Sequence, residues 1–425
     1  MHNGLKANVA AVYDEGDTLE PGGVTFDKEN PYWNNLPEDF ALAGSMDEEP
    51  GSLAEALAGK NGDDWKAGWD KEIGRLEGYN TWKLVHPPEG VSILPCNEVF
   101  KTKCGPNNEV VERRVRIGAG GHRQKKGVDY TESFHGAAKT PLTHVVLAHA
   151  AKHDWEIHQV DVKSAYLNAK LDHPVYMKAP RGYLKTGQEG MVCMLMKCLY
   201  GLVQAGREWY LEMSRTIVTK MGFSWSGVNH SVFFWKLRSG EHVIVAVATD
   251  DMAVTGNSIS AVNHFKAEIS SHYDITDLGE LHWFLGFEVK RDRAARTISI
   301  NQRAYIEGMA KKFGLTDTKP VQVPMLPGEI LTKDQCPSTP PQLAAMQGVP
   351  YGEMIGHILW PVMISRPDAL FMVGILAQFI QNPGPAHFKA LKRGILYLYT
   401  TCDLWLTFGG ENAELIGYTD ADWAS

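Results

Sequence analysis

Two adjacent acids interrupt a strongly apolar stretch at residues 243–256, which reads VIVAVATDDMAVTG. Apolar runs rich in β-branched residues lead to and from Asp250 and Asp251, which is the pattern of a β-hairpin with its turn at the acids. Upstream, residues 157–162 alternate as a strand that ends at Asp161, before a helix-like segment at 164–171. We predict that these two strand ends meet.

Hydrophobic periodicity predicts further helices and strands on both sides of this hairpin. In one helix Trp65, Trp69, Ile73 and Leu76 recur at helical spacing, with Gly78 at the C-cap. The other predicted helices cover 53–57, 139–151, 207–222, 262–269, 303–313, 351–364, 368–381 (with Asp368 as its N-cap) and 386–401. The other predicted strands cover 81–85, 98–103, 110–117, 175–177, 191–196, 232–237, 283–290 and 297–301.

Length and composition are those of an ordinary protein with two or three domains: 425 residues, 44% hydrophobic and 22% charged. The sequence contains no apolar run of membrane-spanning length and no signal-peptide core, which predicts an intracellular protein that is not secreted. Six cysteines without a Cys-x-x-Cys pair predict reduced thiols rather than disulfides or a zinc site. Residues 319–341, with six prolines, predict an extended linker.

The net charge of −8 is unevenly distributed. Residues 1–52 hold eleven acids against two lysines, and we expect an acidic, disordered leader over 1–50. A basic cluster lies further on, formed by Arg113, Arg114, Arg116, Arg123, Lys125 and Lys126. It predicts either a surface that meets phosphates or a solvated hairpin.

Carboxylates on two strand ends of one sheet suit a two-metal phosphoryl-transfer site, in which Mg²⁺ ions roughly 3.5–4 Å apart hold the attacking and departing oxygens. Mg²⁺ takes oxygen ligands and accepts one or two carboxylates together with substrate phosphates. Asp161, Asp250 and Asp251 therefore form a candidate metal site. The alternative is that Asp250 and Asp251 are turn residues that point into water.

Six blocks of the sequence occur in a characteristic order. They are 65–85 (WKAGWDKEIGRLEGYNTWKLV), 159–171 (QVDVKSAYLNAKL), 197–210 (KCLYGLVQAGREWY), the Asp250-Asp251 hairpin, 278–289 (LGELHWFLGFEV) and 416–424 (IGYTDADWA). In order and spacing, from about residue 50 to the end, they resemble the reverse transcriptase of copia-type LTR retrotransposons. The resemblance implies an α+β right-hand polymerase, with fingers and palm in 51–300, thumb or connection helices in 301–408, and the truncated start of an RNase H-like domain in 409–425.

The resemblance also implies roles for individual residues. Asp161, Asp250 and Asp251 match the catalytic metal-binding aspartates, and the main-chain carbonyl of Val162 matches a further metal ligand. Tyr166 matches the aromatic residue that excludes a ribose 2′-hydroxyl, with a core tyrosine as the alternative. The remaining matches are Arg114, Arg116 and Gly201 for the nucleotide, Phe284, Leu285 and Gly286 for the primer grip, and Asp420 for the first RNase H carboxylate.

The implied cofactor is Mg²⁺, with Mn²⁺ as the second option, and the implied partners are an RNA or DNA template, a primer and dNTPs, without a membrane. The implied location is a cytoplasmic particle or the nucleus, and no RNase H activity is expected, because the further acids of a two-metal nuclease do not occur before Ser425.

Several positions depart from the family pattern. Ala248 stands where a tyrosine is usual, Gly120 where a fingers lysine is usual, and Ala205-Gly206 where Ser-Pro is usual. The leading hypothesis is an RNA-directed DNA polymerase. The rivals are a catalytically decayed remnant that keeps the fold and weak nucleic-acid binding, and an unrelated metal-dependent hydrolase that uses the same aspartates.

Overall fold

The computed structural model describes residues 49–104, 110–134, 136, 139–236 and 240–410. It mixes helices and strands, in agreement with the predicted α+β class. The chain divides into two compact units. Unit 1 consists of Met1–Lys139, Val160–Val254 and Asn263–Leu278, and unit 2 of Thr140–Gln159, Thr255–Val262 and Gly279–Ser425.

Most of the helices lie where hydrophobic periodicity predicts them. Their bounds are α1 (Leu53–Ala58), α2 (Gly62–Gly78), α3 (Thr140–His153), α4 (Ala165–Asn168), α5 (Ala205–Arg215), α6 (Ile259–Ser270), α7 (Arg303–Lys312), α8 (Pro340–Met346), α9 (Tyr351–Ile364), α10 (Leu370–Ala377) and α11 (Pro385–Thr400). A π-helical turn, Thr216–Lys220, continues α5. Single 3₁₀ turns lie at Gly121–Arg123, Lys333–Gln335 and Pro367–Ala369.

The strands are short. Their bounds are β1 (Trp82–Val85), β2 (Ile93–Leu94), β3 (Cys96–Cys104), β4 (Val110–Ala119), β5 (Glu156–Val162), β6 (Lys170–Lys178), β7 (Val192–Lys197), β8 (Ser224–Trp225), β9 (Val232–Lys236), β10 (His242–Ala248), β11 (Asp251–Gly256), β12 (Ile275–Glu280), β13 (Trp283–Phe284), β14 (Phe287–Asp292), β15 (Thr297–Asn301) and β16 (Leu406–Gly409).

Four sheets organise these strands. The six-stranded sheet has the order β12-β5-β11-β10-β9-β8, so β5 lies directly beside one strand of the acidic hairpin. A four-stranded sheet has the order β1-β7-β6-β2, and β3 with β4 forms a two-stranded ribbon. In unit 2 the order is β13-β14-β15-β16. The predicted meeting of the β5 end with the hairpin therefore has its structural basis in adjacent strands.

The apolar face of helix α2 packs against the β3–β4 ribbon in unit 1. Trp65, Trp69 and Leu76 are buried on one face of the helix, and the Trp65 ring packs edge-on against Phe100 at 5.5 Å. The tryptophans are therefore core residues. The predicted C-cap is wrong, because Gly78 is still helical and Asn80 takes the left-handed conformation with φ +52°; asparagine tolerates this conformation well.

Unit 2 has a helical core in which Ile358, Leu391 and Ile395 are fully buried between α9 and α11.

Asp368 is not the N-cap that its place after Pro367 predicts. It lies inside a 3₁₀ turn, and its carboxylate accepts hydrogen bonds from Arg366 at 3.0 and 2.7 Å and from the Tyr397 hydroxyl at 2.7 Å. An ion pair with a buried guanidinium has replaced the capping role.

Two other predictions need correction, and one strand of the six-stranded sheet was missed. The segment 164–171 is helical only over Ala165–Asn168, since β6 begins at Lys170. The predicted strand 283–290 is two strands, because Leu285 and Gly286 form a turn between them. Strand β12 was not predicted, since its sequence ITDLGE is polar and has no clear alternation.

The predicted division at residue 300 does not coincide with the boundary between the two units. Residues 279–300 cluster with the C-terminal helices, because β14 and β15 belong to one sheet with β16. Residues 1–48 and 411–425, which include the predicted leader and the RNase H-like segment, lie outside the described residues. None of the helices that the structure describes combines the length and apolar character needed to cross a bilayer.

Candidate active site

The acidic hairpin has a strained turn. Strands β10 and β11 are joined by Thr249 and Asp250, and Thr249 has φ +64°. A β-branched residue at positive φ is a genuine outlier, because its Cβ crowds the backbone, and such strain costs on the order of 1–3 kcal/mol. Strain of this kind is maintained only where surrounding contacts hold the backbone in place.

One of these contacts connects the two predicted strand ends. The Val162 amide donates a hydrogen bond to the Asp250 carbonyl at 2.9 Å, and the next amide, of Lys163, donates to the main-chain carbonyl of Asp274 at 2.9 Å. Asp161 lies one residue before this bond. The structure therefore brings Asp161 to the turn that carries Asp250 and Asp251, although 89 positions separate Asp161 from Asp250 in sequence.

The electrostatics of Asp161 show that the two carboxylates interact. Partial burial raises the pKa of Asp161 above its ordinary value, and the negative charge of Asp250 raises it further. Arg114, Lys163 and Lys103 oppose the shift by lowering the pKa. Two carboxylates that resist joint ionisation, with cationic side chains around them, are suited to bind a cation or a phosphate-bound cation.

The candidate ligand atoms are of the type that a hard divalent ion prefers. The candidate ligands are the carboxylates of Asp161, Asp250 and Asp251 with the Val162 carbonyl, all of them oxygen atoms. Within the described part of the chain, no three His, Cys, Asp or Glu side chains converge closely enough to hold a metal ion by themselves. Asp161, Asp250 and Asp251 therefore do not form such a group of three converging side chains. Mg²⁺ accepts one or two carboxylates, with water and substrate phosphates as its remaining ligands.

The β3–β4 ribbon presents cations on one face. Lys101 is paired directly across from Arg114, and Lys103 and Arg116 each follow two residues further along their strands, on the same face. Arg114 and Lys103 both act on the Asp161 carboxyl. Sequence reasoning missed Lys103. The alternating Lys-Thr-Lys of β3 places Lys103 on the same face as Lys101, but only the β3–β4 register shows that this face also carries Arg114.

The six-residue basic cluster does not form one surface. The side chain of Arg113 is only 7% exposed, and its guanidinium lies 5.3 Å from the centre of the Trp65 ring. Arg123, Lys125 and Lys126 are exposed beyond the end of β4. The strand period places Arg113 on the buried face of the ribbon, so only the alternate positions of β4 are available to a ligand.

Tyr166 belongs to a stack of aromatic and cationic groups. Tyr166 is only 9% exposed, and its ring contacts the Tyr200 ring edge-on, with 4.8 Å between the ring centres. The Arg116 guanidinium lies 5.1 Å from the centre of the Tyr200 ring. The stack links the predicted sugar-contacting residue with a predicted triphosphate-contacting residue. Tyr200 was not predicted as a site residue, and its place beside Gly201 was the available signal.

A partly buried ion pair contacts the backbone segment between Asp161 and Tyr166. Ser164 has φ +53°, and its hydroxyl accepts a hydrogen bond from Arg75 Nη1 at 2.5 Å. Arg75 also makes two hydrogen bonds to the buried Glu72, at 2.8 and 2.7 Å. Sequence reasoning missed this support; the signal was an acid within the apolar face of α2, three residues before an arginine.

The backbone of Gly201 lies close to strand β4. It has φ +88°, and a Cβ atom built there would lie 2.1 Å from the Ala119 carbonyl oxygen of β4. The adjacent Tyr200 carbonyl accepts a hydrogen bond from the Ala119 amide at 2.7 Å. Packing against β4 is therefore sufficient reason for a glycine, and the predicted contact of Gly201 with a nucleotide remains a prediction.

The predicted primer-grip residues form a tight hairpin in unit 2. Phe284 pairs with Phe287, and both central residues have positive φ, +47° at Leu285 and +78° at Gly286, as in a type I′ turn. Phe284 is 1% exposed, and its ring contacts Phe287 edge-on at 5.9 Å. Phe284 is thus a core residue, and only the turn can present groups to a ligand. Asp420 lies outside the described residues.

A comparison with protein families covers the part of the chain that contains this site. The family model for reverse transcriptase (RNA-dependent DNA polymerase) matches residues 79–327, which contain Asp161 and the acidic hairpin. The chain belongs to the reverse transcriptase family. This assignment leaves the unrelated-hydrolase hypothesis without support.

Relatives that match most of this reverse transcriptase-family chain include retrotransposon Pol polyproteins. It is 34% identical over 380 residues to the Retrovirus-related Pol polyprotein from transposon TNT 1-94 of Nicotiana tabacum, covering 89% of this chain and 28% of that protein. It is 31% identical over 406 residues to the Pol polyprotein from transposon RE1 of Arabidopsis thaliana, covering 93% and 26%. The resemblance to copia-type reverse transcriptases is confirmed, and the chain spans about a quarter of the length of these relatives.

A solved structure with some likeness is the foamy viral protease-reverse transcriptase in complex with double-stranded DNA. The TM-score is 0.39 at 11% sequence identity, and the match covers 79% of this chain and 48% of that chain.

Proposed function

We propose that this chain is an RNA-directed DNA polymerase that extends a primer 3′-hydroxyl with dNTPs on an RNA or DNA template. The observation that carries the proposal is the Val162–Asp250 hydrogen bond, since it sets Asp161 beside the acidic hairpin in a chain of the reverse transcriptase family. A right-hand arrangement of fingers, palm and thumb is part of this proposal.

In this mechanism Asp161, Asp250 and the Val162 carbonyl would hold Mg²⁺, or Mn²⁺ in its place, with Asp251 as a further ligand. The bound ions would supply charge stabilisation for the attacking and leaving oxygens in phosphoryl transfer. Arg114, with Lys103 as an added candidate, would neutralise the triphosphate. Their place on one face of the ribbon and their effect on Asp161 support this role.

Other residues would select the sugar and bind the primer. Tyr166 would lie under the incoming sugar and exclude a 2′-hydroxyl, with Tyr200 and Arg116 packed behind it. Leu285 and Gly286 would contact the primer end through their turn, since Phe284 is buried.

The test is Mg²⁺-dependent incorporation of dTTP on an oligo(dT)-primed poly(rA) template. Incorporation by the wild-type chain and its loss by several orders of magnitude in Asp250→Asn would support the proposal. Asp70→Asn is the matched control, because Asp70 is an exposed carboxylate in α2. Equal incorporation by wild type and Asp250→Asn would end the proposal.

The second candidate is a non-catalytic remnant that keeps the fold and binds nucleic acid weakly. Ala248, at the position before Thr249 where the family pattern has tyrosine, favours it. It predicts no incorporation together with weak duplex binding and a small salt slope, because few phosphate contacts would remain. A steep slope with incorporation would exclude it.

A further inference from the structure

The strained turn at Thr249 is held from two sides. On one side the Val162 amide of β5 binds the Asp250 carbonyl, as described above. On the other side the indole nitrogen of Trp209, in α5, donates a hydrogen bond to the Thr249 carbonyl at 2.7 Å. Two successive carbonyls of the turn are thus each held by a different element. A carbonyl that is held fixes its peptide plane, and this limits the directions open to the Cα–Cβ bond of the acidic residue that follows it.

Trp209 is itself rigidly placed. It is 1% exposed, so water does not compete for its indole N–H. The Tyr273 ring packs edge-on against it at 5.1 Å, and the Tyr273 hydroxyl donates to Thr216 Oγ1 at 2.8 Å. Burial raises the pKa of Tyr273 to about 12, so this hydroxyl keeps its proton at neutral pH.

The conformation at Thr249 is one that favours glycine. Thr249 has a positive φ and Asp250 does not, and glycine is the usual residue at the first position of a two-residue hairpin turn of this kind. The sequence therefore does not specify this turn locally. Contacts from outside the hairpin specify it, and Trp209 provides a buried one.

We propose that Trp209 is a positioning residue, whose indole N–H holds the Thr249 carbonyl and thereby aims the Asp250 and Asp251 carboxylates at a divalent ion. The proposal rests on the proposed function for its purpose. Its test does not require polymerisation, because metal affinity and backbone protection are measured directly.

The test compares Trp209→Phe with wild type by Mn²⁺ titration, with free Mn²⁺ followed by electron paramagnetic resonance. Phenylalanine keeps an aromatic ring beside Tyr273 and removes the donor. We expect Mn²⁺ affinity to fall roughly three- to tenfold, the effect of losing one buried hydrogen bond. Trp82→Phe is the matched control, because the Trp82 indole also donates a hydrogen bond in unit 1, to the Tyr183 hydroxyl at 3.2 Å. The control should bind Mn²⁺ as wild type does.

A double-mutant cycle separates positioning from general loss of stability. Glycine at position 249 accepts a positive φ without strain, so Trp209→Phe should lower Mn²⁺ affinity less in a Thr249→Gly background than in wild type. An equal loss in both backgrounds, or an unchanged affinity in Trp209→Phe, would overturn the proposal.

Hydrogen exchange of the hairpin amides in metal-free protein provides the second measurement. Faster exchange over residues 249–252 in Trp209→Phe, with the Trp82→Phe control unchanged, would support the role of Trp209. Unchanged exchange would overturn it. If wild type binds no Mn²⁺ at all, the proposed function fails, and the exchange result still decides whether Trp209 holds the turn.

Discussion

Replacing Asp161 with asparagine should stabilise the metal-free protein while removing its response to Mg²⁺. Burial and the Asp250 charge raise the pKa of Asp161, so the folded state holds this proton more tightly than the unfolded chain does. The corresponding stability is fully present at low pH and is lost as pH rises through the folded pKa. At neutral pH the ionised Asp161 is therefore a destabilising group, which asparagine removes.

The expected gain is on the order of 1 kcal/mol, since Asp161 is half-buried and solvent screens its repulsion from Asp250. Mg²⁺ should act in the opposite direction. At 100 times its dissociation constant, an ion that binds only the folded state stabilises that state by about 2.7 kcal/mol. Wild type should show this increment, and Asp161→Asn should lose most of it.

The assay is native-state hydrogen exchange of amides in β5 and β11, with and without Mg²⁺. Local exchange is the suitable measurement because a chain of two units need not unfold in one step. Asp70→Asn is the control, since the Lys66–Asp70 pair is more than half exposed and should contribute at most about 1 kcal/mol. Lower metal-free stability in Asp161→Asn, or an undiminished Mg²⁺ response, would refute the reasoning.

Three further predictions concern the framework around the site. Gly201→Ala should lower stability by about 2 kcal/mol or more, because its Cβ would combine a positive φ with contact on the Ala119 carbonyl, and an unchanged urea midpoint would argue against this packing. Arg366→Ala should cost about 3–5 kcal/mol in unit 2, since the guanidinium is 2% exposed, whereas the exposed Arg303→Ala should cost about 1 kcal/mol or less; similar unfolding curves would contradict this. Burial lowers the pKa of His357 to about 4 from 6.5, so stability should be full above pH 6.5 and fall on the order of 3 kcal/mol toward pH 4, and His357→Gln should flatten that dependence in a pH series of unfolding curves.

The sequence was sufficient for elements whose pattern is strong and local. The run of β-branched residues around Asp250 predicted both strands of the hairpin, and the alternation before Asp161 predicted β5. Helical spacing of Trp209, Met213, Ile217 and Met221 placed α5 and its continuation, but not the π-helical turn that ends it. A π-turn changes the hydrogen bonds without changing which residues are buried, so periodicity does not report it.

Features that depend on distant contacts could not be predicted. Ser164 and Thr249 adopt positive φ against their own preferences, and each accepts a hydrogen bond from another element, Ser164 from Arg75 and Thr249 from Trp209. The role of Lys103 required the β3–β4 register. Of the six non-glycine residues with positive φ in the described part of the chain, Ser164 and Thr249 lie beside the candidate active site, where such strain is often found.

The central claim is that carboxylates from β5 and the acidic hairpin hold divalent ions for nucleotidyl transfer. Anomalous diffraction from crystals soaked with Mn²⁺ and a dNTP tests it most directly. The account predicts a Mn²⁺ peak at about 2.1 Å from carboxylate oxygens of both Asp161 and the Asp250-Asp251 pair, lost in Asp250→Asn crystals. A peak that contacts neither group, or one that persists unchanged in Asp250→Asn, would contradict it.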